Sequence, residues 1–115
     1  MGSREERLAD LRKRCDTKLE EKFLDLIETL DLRLPSDAQF RIPGYYTQPD
    51  FFYGECNAAI YVDGPVHDGA DQVRDDREIT RGLMEMGYIV IRFHHQDDWE
   101  AVCRQHPDVF GVPQQ

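Results

Sequence analysis

The sequence has little of what would take a small chain outside the ordinary globular class. Cysteine is scarce: Cys15, Cys56 and Cys103 are an odd number with no C-x-x-C spacing. That argues against a disulfide-stapled secreted scaffold and against a structural zinc site, and it fits a reducing cytoplasmic setting. Long apolar runs are missing as well. Ala58–Val62 and the stretch around Ile89–Ile91 fall far short of the roughly 20 residues a membrane helix needs, so no membrane partner is expected. Met1-Gly2-Ser3 lacks the charged and apolar regions of a signal peptide and reads as a vector-derived scar. Residues 4–115 then read as a single domain excised from a larger chain. Basic residues are in deficit, 14 Lys+Arg against 23 Asp+Glu for a formal charge of −9. Such a surface does not grip nucleic acid through bulk positive charge, although a metal-dependent site acting on nucleic acid stays open. Repeats and low-complexity linkers are absent too.

What is present is enough for one real core: a chain of this length buries roughly 60–70% of its unfolded surface. From Arg4 to about Leu32 the apolar residues Leu8, Leu11, Cys15, Leu19, Phe23, Leu26, Ile27 and Leu30 recur at three- and four-residue steps. The spacing predicts a long amphipathic helix with a break near Asp16. Pro35 and Ser36-Asp37 end it, and Ala38–Ile42 alternates like a strand before Pro43-Gly44. Asp50–Tyr53 and Ala58–Asp63 read as a hairpin around Gly54-Glu55-Cys56-Asn57. A second helix is expected over about Ala70–Met86, with Val73, Ile79, Leu83 and Met86 inward and Gly87 as its stop. Tyr88–Phe93 is an apolar strand. Asp97 or Asp98 can cap a last helix running through Gln105, with Trp99 as its anchor, and Pro107–Gln115 reads as irregular. The order α-β-β-β-α-β-α suggests an α/β fold, one mixed sheet with helices on both faces.

A hairpin loop at 54–57 sets Phe51 opposite Ile60 and Asp50 opposite Tyr61. Alternation then puts Phe51, Tyr53, Ala58, Ile60 and Val62 on one face, and Asp50, Phe52, Ala59, Tyr61 and Asp63 on the other. Asp50 and Asp63 become diagonal neighbours, ~7–8 Å apart at the backbone, and their carboxylates could converge on a cation. Glu20, three before Phe23 and four before Leu24, sits near the edge of the helical apolar stripe and is a possible third acid. Carboxylates, a strand carbonyl and water suit Mg²⁺. His67, four residues beyond Asp63, could donate to phosphate or move a proton.

Each feature also has a plainer reading. Pro49-Asp50 can be a turn before an edge strand, Asp63-Gly64-Pro65 a turn, His67-Asp68 the approach to a helix N-terminus, and Glu20-Glu21 a solvated charge run. His94-His95 are neighbours on a strand and point to opposite faces, which disfavours a shared metal.

In order and spacing, Glu20-x-x-Phe23-Leu24, Pro49-Asp50-Phe51, Ile60-Tyr61-Val62-Asp63-Gly64 with His67, Asp76 seven before Leu83, and Gly87-Tyr88-x-Val90-Ile91-Arg92-Phe93 carry a likeness. Over about Thr17 to Gly111 the chain resembles the restriction-endonuclease-like superfamily. Within it, the likeness is to the very short patch repair endonuclease branch and to the small domains at the C-termini of bacterial DNA helicases.

The resemblance implies a three-layer fold, a central mixed β-sheet flanked by helices, and Mg²⁺-dependent (or Mn²⁺-dependent) cleavage of DNA phosphodiesters in DNA repair or processing. It implies Asp50 and Glu20 as metal-binding acids and the Val62 backbone carbonyl as a further metal contact. Asp63 and His67 would support the attacking water and the scissile phosphate. DNA, and a helicase domain in the same chain or complex, are the implied partners. Two departures stand out. The superfamily's acid-x-Lys at the end of the third strand is Tyr61-Val62-Asp63 here, and the zinc-binding Cys/His set of the repair enzyme is missing. The second expectation is therefore a catalytically silent accessory module of a helicase that binds DNA or protein.

Overall fold

A computed structural model describes residues 3–15, 17–42, 44, 48–63 and 70–112, the side chains of 63 and 70–76 excepted. Helices α1 (Arg4–Lys13) and α2 (Lys18–Thr29) occupy the amphipathic segment. The break expected near Asp16 falls between Lys13 and Lys18 and divides the segment into two helices. Thr17 has an extended backbone, φ −135° and ψ 162°, and its hydroxyl accepts from the Glu20 N–H, so it begins a new helix rather than continuing the first. Ser3 does the same for α1 through the Glu6 N–H. The apolar period survives the break because Leu8, Leu11, Phe23, Leu24 and Ile27 all enter one core. After α2, Asp31 takes a left-handed φ of 53°, Leu32 N–H reaches back to Ile27 C=O at 2.9 Å, and Asp31 N–H to Glu28 C=O at 3.1 Å. These two bonds satisfy carbonyls the helix end would leave bare.

The sheet comprises β1 (Asp37–Ala38), β2 (Phe51–Tyr53), β3 (Ala58–Asp63) and β4 (Ile89–His94), in the spatial order β1-β2-β3-β4. The first two pairings are antiparallel and β3/β4 is parallel, so the sheet is mixed. The hairpin register is Phe51↔Ile60, Phe52↔Ala59 and Tyr53↔Ala58, with the loop at residues 54–57, as the alternation requires. Strand β1 is shorter than the expected Ala38–Ile42 because Gln39 turns to φ 54° and leaves the pleat.

Parallel strands need a crossover, which α3 (Ala70–Glu85) supplies. Its Leu83 and Ile79 pack with Ile42, Phe52, Ala59, Phe40, Tyr61, Tyr88 and Val90 on one face of the sheet. The other face carries Phe51, Tyr53, Ala58, Ile60, Ile91 and Phe93 against the remaining helices. Phe23 of α2 is its centre: fully buried, stacked on Phe51 at 4.8 Å and meeting Phe93 edge-on at 5.1 Å.

Helix α3 stops at Gly87, φ 96°, with Tyr88 N–H on Leu83 C=O at 3.0 Å and Gly87 N–H on Met84 C=O at 3.0 Å. Met86, expected inward, is 53% exposed. It sits where the chain leaves the helical stripe, and Tyr88 takes the inward place beside Leu83. Helix α4 (Trp99–Arg104) is capped by Asp98, and Trp99 is buried. The tail expected to be irregular forms a short helix, α5 (Pro107–Phe110), because Pro107 starts it and Val109 and Phe110 have a core to enter. Phe110 meets Tyr53 at 5.4 Å and Phe93 at 5.9 Å. The described residues thus form a mixed α/β structure of four strands and five helices, in place of the order α-β-β-β-α-β-α. No helix among them is long and apolar enough to cross a membrane.

Candidate functional site

Because β2 runs against β3, and β3 with β4, the start of β2 and the ends of β3 and β4 share one end of the sheet. Asp50 immediately precedes β2, while Asp63 and His94 close β3 and β4 opposite one another. Carboxyl ends of parallel strands are where α/β sheets leave room for ligands, since the ladder stops there and the connecting segments diverge.

Asp50 is half-buried, and its Oδ2 accepts the Val62 N–H at 2.7 Å. The cause is local. The observed register, extended by two residues, sets Pro49 opposite Val62, and proline has no N–H to return to the Val62 carbonyl. Strand β2 begins after it, and the Asp50 carboxylate takes over the ladder bond that β2 does not reach. The N–H and C=O of a strand residue point to the same side, so the Val62 carbonyl shares this edge with the Asp50 carboxylate. Asp50 therefore turns into the strand edge instead of standing on the sheet face with Phe52.

Glu20 is 2% exposed, and among the described residues it is the one charged side chain that is buried. The solvated charge run is corrected for this residue, although Glu21 is exposed. Its Oε2 accepts from the Thr17 hydroxyl at 2.9 Å and its Oε1 from Gln39 Nε2 at 2.5 Å. With Glu20 N–H on Thr17 Oγ1 at 3.2 Å, Thr17 caps α2 and sets the Glu20 carboxylate at the helix's positive end. The T-x-x-E spacing that announces this cap was legible in the sequence, but a reading based on the apolar stripe passes over it.

Gln39 joins the two acids. Its side chain donates to Glu20, its backbone N–H donates to the Asp50 carbonyl at 3.0 Å, and its Oε1 accepts from Gln48 Nε2 at 2.8 Å. A non-glycine residue at φ 54° is uncommon, and such conformations gather at functional sites where neighbours hold them in place. Nothing in Ala38-Gln39-Phe40 signalled this, because an amide has no spacing rule of its own.

The same sheet end carries further groups. The Trp99 indole N–H donates to the His94 carbonyl at 2.6 Å, and the Lys22 ammonium lies 4.5 Å from the centre of the Trp99 ring. Lys22 is the last of the chain's three lysines, so the acid-x-Lys lysine has no sequence substitute further along. Arg92 lies across from Tyr61, stacks over its ring at 4.4 Å and donates to Thr80 Oγ1 at 3.0 Å. The Asp63 side chain and the whole of His67 lie outside the described residues. Within the described set no group of three or more His, Cys, Asp or Glu side chains gathers around one point.

The candidate donors on the segments that Gln39 links are oxygens, two carboxylates and a strand carbonyl, and such donors have the chemistry of a hard divalent cation. Burial raises the Cys56 thiol and pushes Cys103 up to about 12, so neither offers a thiolate at neutral pH. Tyr53 is held well above its ordinary range, chiefly by burial, and spends its hydroxyl on the Arg33 carbonyl at 2.7 Å. Comparison of the chain with protein-family models, with curated proteins and with solved structures gives no match.

Proposed function

We propose that the chain is a Mg²⁺-dependent DNA endonuclease domain of restriction-endonuclease-like architecture, acting in DNA repair or processing alongside a helicase. One observation carries this reading: the single residue Gln39 links the Glu20 carboxylate to the main chain of Asp50, two acids from different elements and far apart in sequence. Glu20, Asp50 and the Val62 carbonyl would hold the ion, and their oxygen chemistry fits Mg²⁺ or Mn²⁺. A cation bound there supplies charge stabilisation at the phosphate and a more acidic bound water. The chain's own part is to preorganise the acids. Val62 N–H fixes one Asp50 oxygen, while Thr17 and Gln39 each fix one oxygen of Glu20. Asp63 and His67 are assigned to orienting the water and the phosphate.

Delivery of DNA falls to a more basic partner or neighbouring domain such as the helicase. Among the described residues Arg4, Arg12, Arg14, Arg33 and Arg104 are engaged with carboxylates of the same chain, which leaves fewer cations for phosphate.

A second reading, the catalytically silent helicase module that binds DNA or protein, is favoured by a specific feature. Both acids already have structural work, Glu20 with the Thr17 hydroxyl and the Gln39 amide and Asp50 at the start of β2. A plasmid-nicking assay with Mg²⁺ or Mn²⁺ separates the two. The nuclease reading expects metal-dependent nicking that Asp50→Asn abolishes. Nicking that survives this substitution overturns the site, and a wild-type chain that neither nicks nor binds Mn²⁺ but retains DNA selects the silent module.

A further inference from the structure

We propose that Gln39 is a positioning residue of this centre, setting Glu20 through its side chain and Asp50 through its backbone, so that its loss weakens divalent-cation binding. The inference rests on the reading of Glu20 and Asp50 as metal ligands. It goes beyond that reading by assigning a role to a residue that carries no charge and ligates nothing.

Three observations support it. First, Gln39 adopts φ 54°, a conformation glycine takes freely and asparagine or aspartate tolerate better than glutamine. The two hydrogen bonds of the glutamine side chain offset the cost of that conformation. Second, its amide can be oriented in one way. A carboxylate accepts and does not donate, so Nε2 must face Glu20 and Oε1 must face away, where Gln48 Nε2 donates to it. Gln48, Gln39 and Glu20 therefore form a directed chain in which each amide fixes the next, and the exposed Gln48 anchors it just before Pro49-Asp50. Third, the backbone N–H of Gln39 binds the main-chain carbonyl of Asp50, so the residue that aims the first acid also fixes the backbone that carries the second. Groups that orient metal-binding carboxylates typically matter 10–100-fold in metal affinity without touching the ion.

The test is calorimetric titration of the full chain with MnCl₂ alone, together with thermal unfolding in the absence of metal, for wild type, Gln39→Met, Gln39→Gly, Gln48→Ala and Asp50→Ala. Gln39→Met fills similar space without the amide and is expected to bind Mn²⁺ about 10–100-fold more weakly. Gln39→Gly relieves the left-handed backbone, which keeps the test open should the methionine variant fold poorly, and is expected to lose the same affinity. Gln48→Ala alters an exposed residue; it is expected to leave metal-free unfolding unchanged and to weaken Mn²⁺ binding by less. A merely structural role for Gln39 predicts wild-type Mn²⁺ affinity in every folded Gln variant. That result, alongside lost binding in Asp50→Ala, overturns the positioning role alone. Wild-type affinity in Asp50→Ala, or no Mn²⁺ binding by the wild type, overturns the metal-site reading and this inference with it.

Discussion

Asp50 offers the sharpest separation of structural from chemical work, because the structure gives it a hydrogen-bonding role and the proposed function adds a metal-binding one. Its Oδ2 terminates the β2/β3 ladder on the Val62 N–H at 2.7 Å, in a part-buried position. Asp50→Ala removes the acceptor and leaves that N–H to whatever water can enter, which costs roughly 1–2 kcal/mol after allowance for partial exposure. For a chain of this length 1 kcal/mol corresponds to roughly 3–6 °C of melting temperature, so Asp50→Ala is expected to melt about 3–12 °C lower while remaining folded at 25 °C. Asp50→Asn keeps a carbonyl oxygen for Val62 and loses only the charge, so its cost should stay below about 1 kcal/mol. Thermal unfolding followed by circular dichroism measures both, and the nicking assay is run on the same samples. The expected pattern is a graded loss of stability, alanine more than asparagine, with nicking abolished equally in both. An asparagine variant as unstable as the alanine variant would refute the claim that Asp50 serves Val62 as a hydrogen-bond acceptor.

The core and the turns give further expectations. Phe23→Ala should cost roughly 3–5 kcal/mol by urea denaturation, since it empties the fully buried contact among Phe51, Phe93 and Phe110. Gly87→Ala should cost only about 1 kcal/mol, because a Cβ there meets nothing within 4 Å and the penalty is the positive φ alone. Cys103 in the folded chain is raised from 9.0 to about 12, so the fold holds its proton more tightly than the unfolded chain. That contribution is fully present below about pH 9 and is lost as pH rises toward about 12, where Tyr53, raised in the same direction, adds to the slope. Melting temperature should therefore fall with pH above about 9, less steeply in Cys103→Ala. Alkylation of Cys103 at pH 8 should require unfolding, which mass spectrometry with and without urea can check.

The hairpin register was legible because loop length and alternation over-determine it: a one-residue slip would turn Phe51 and Ile60 away from Phe23. The stop at Gly87, a cap at Asp97 or Asp98 and the apolar residues on the two faces of the sheet were legible for the same reason, since each is set by residues within a few positions of one another, while the choice of Asp98 fell to the structure. The break between α1 and α2 was half legible. Apolar period sees through a cap, and the period continues because both helices bury on the same core. Helix α5 was not legible, for Val109 and Phe110 become helical in the presence of a core built by Phe23, Tyr53 and Phe93.

The candidate site divides along the same line. Asp50 and Glu20 stood out as acids beside apolar residues, and sequence alone put Asp50 at the mouth of a hairpin and Glu20 near a helix edge. Only the tertiary structure decided that Glu20 is buried, that Asp50 turns into the strand edge where Pro49 interrupts the ladder, and that Gln39 ties the two together. Local periodicity reports which side of an element a residue occupies, whereas a link among α2, the loop after β1 and the start of β2 depends on the packing of three segments. The acidity that argued against direct nucleic-acid binding is likewise a property of composition. How two of those acids are linked, and what holds each in place, is a property of the fold.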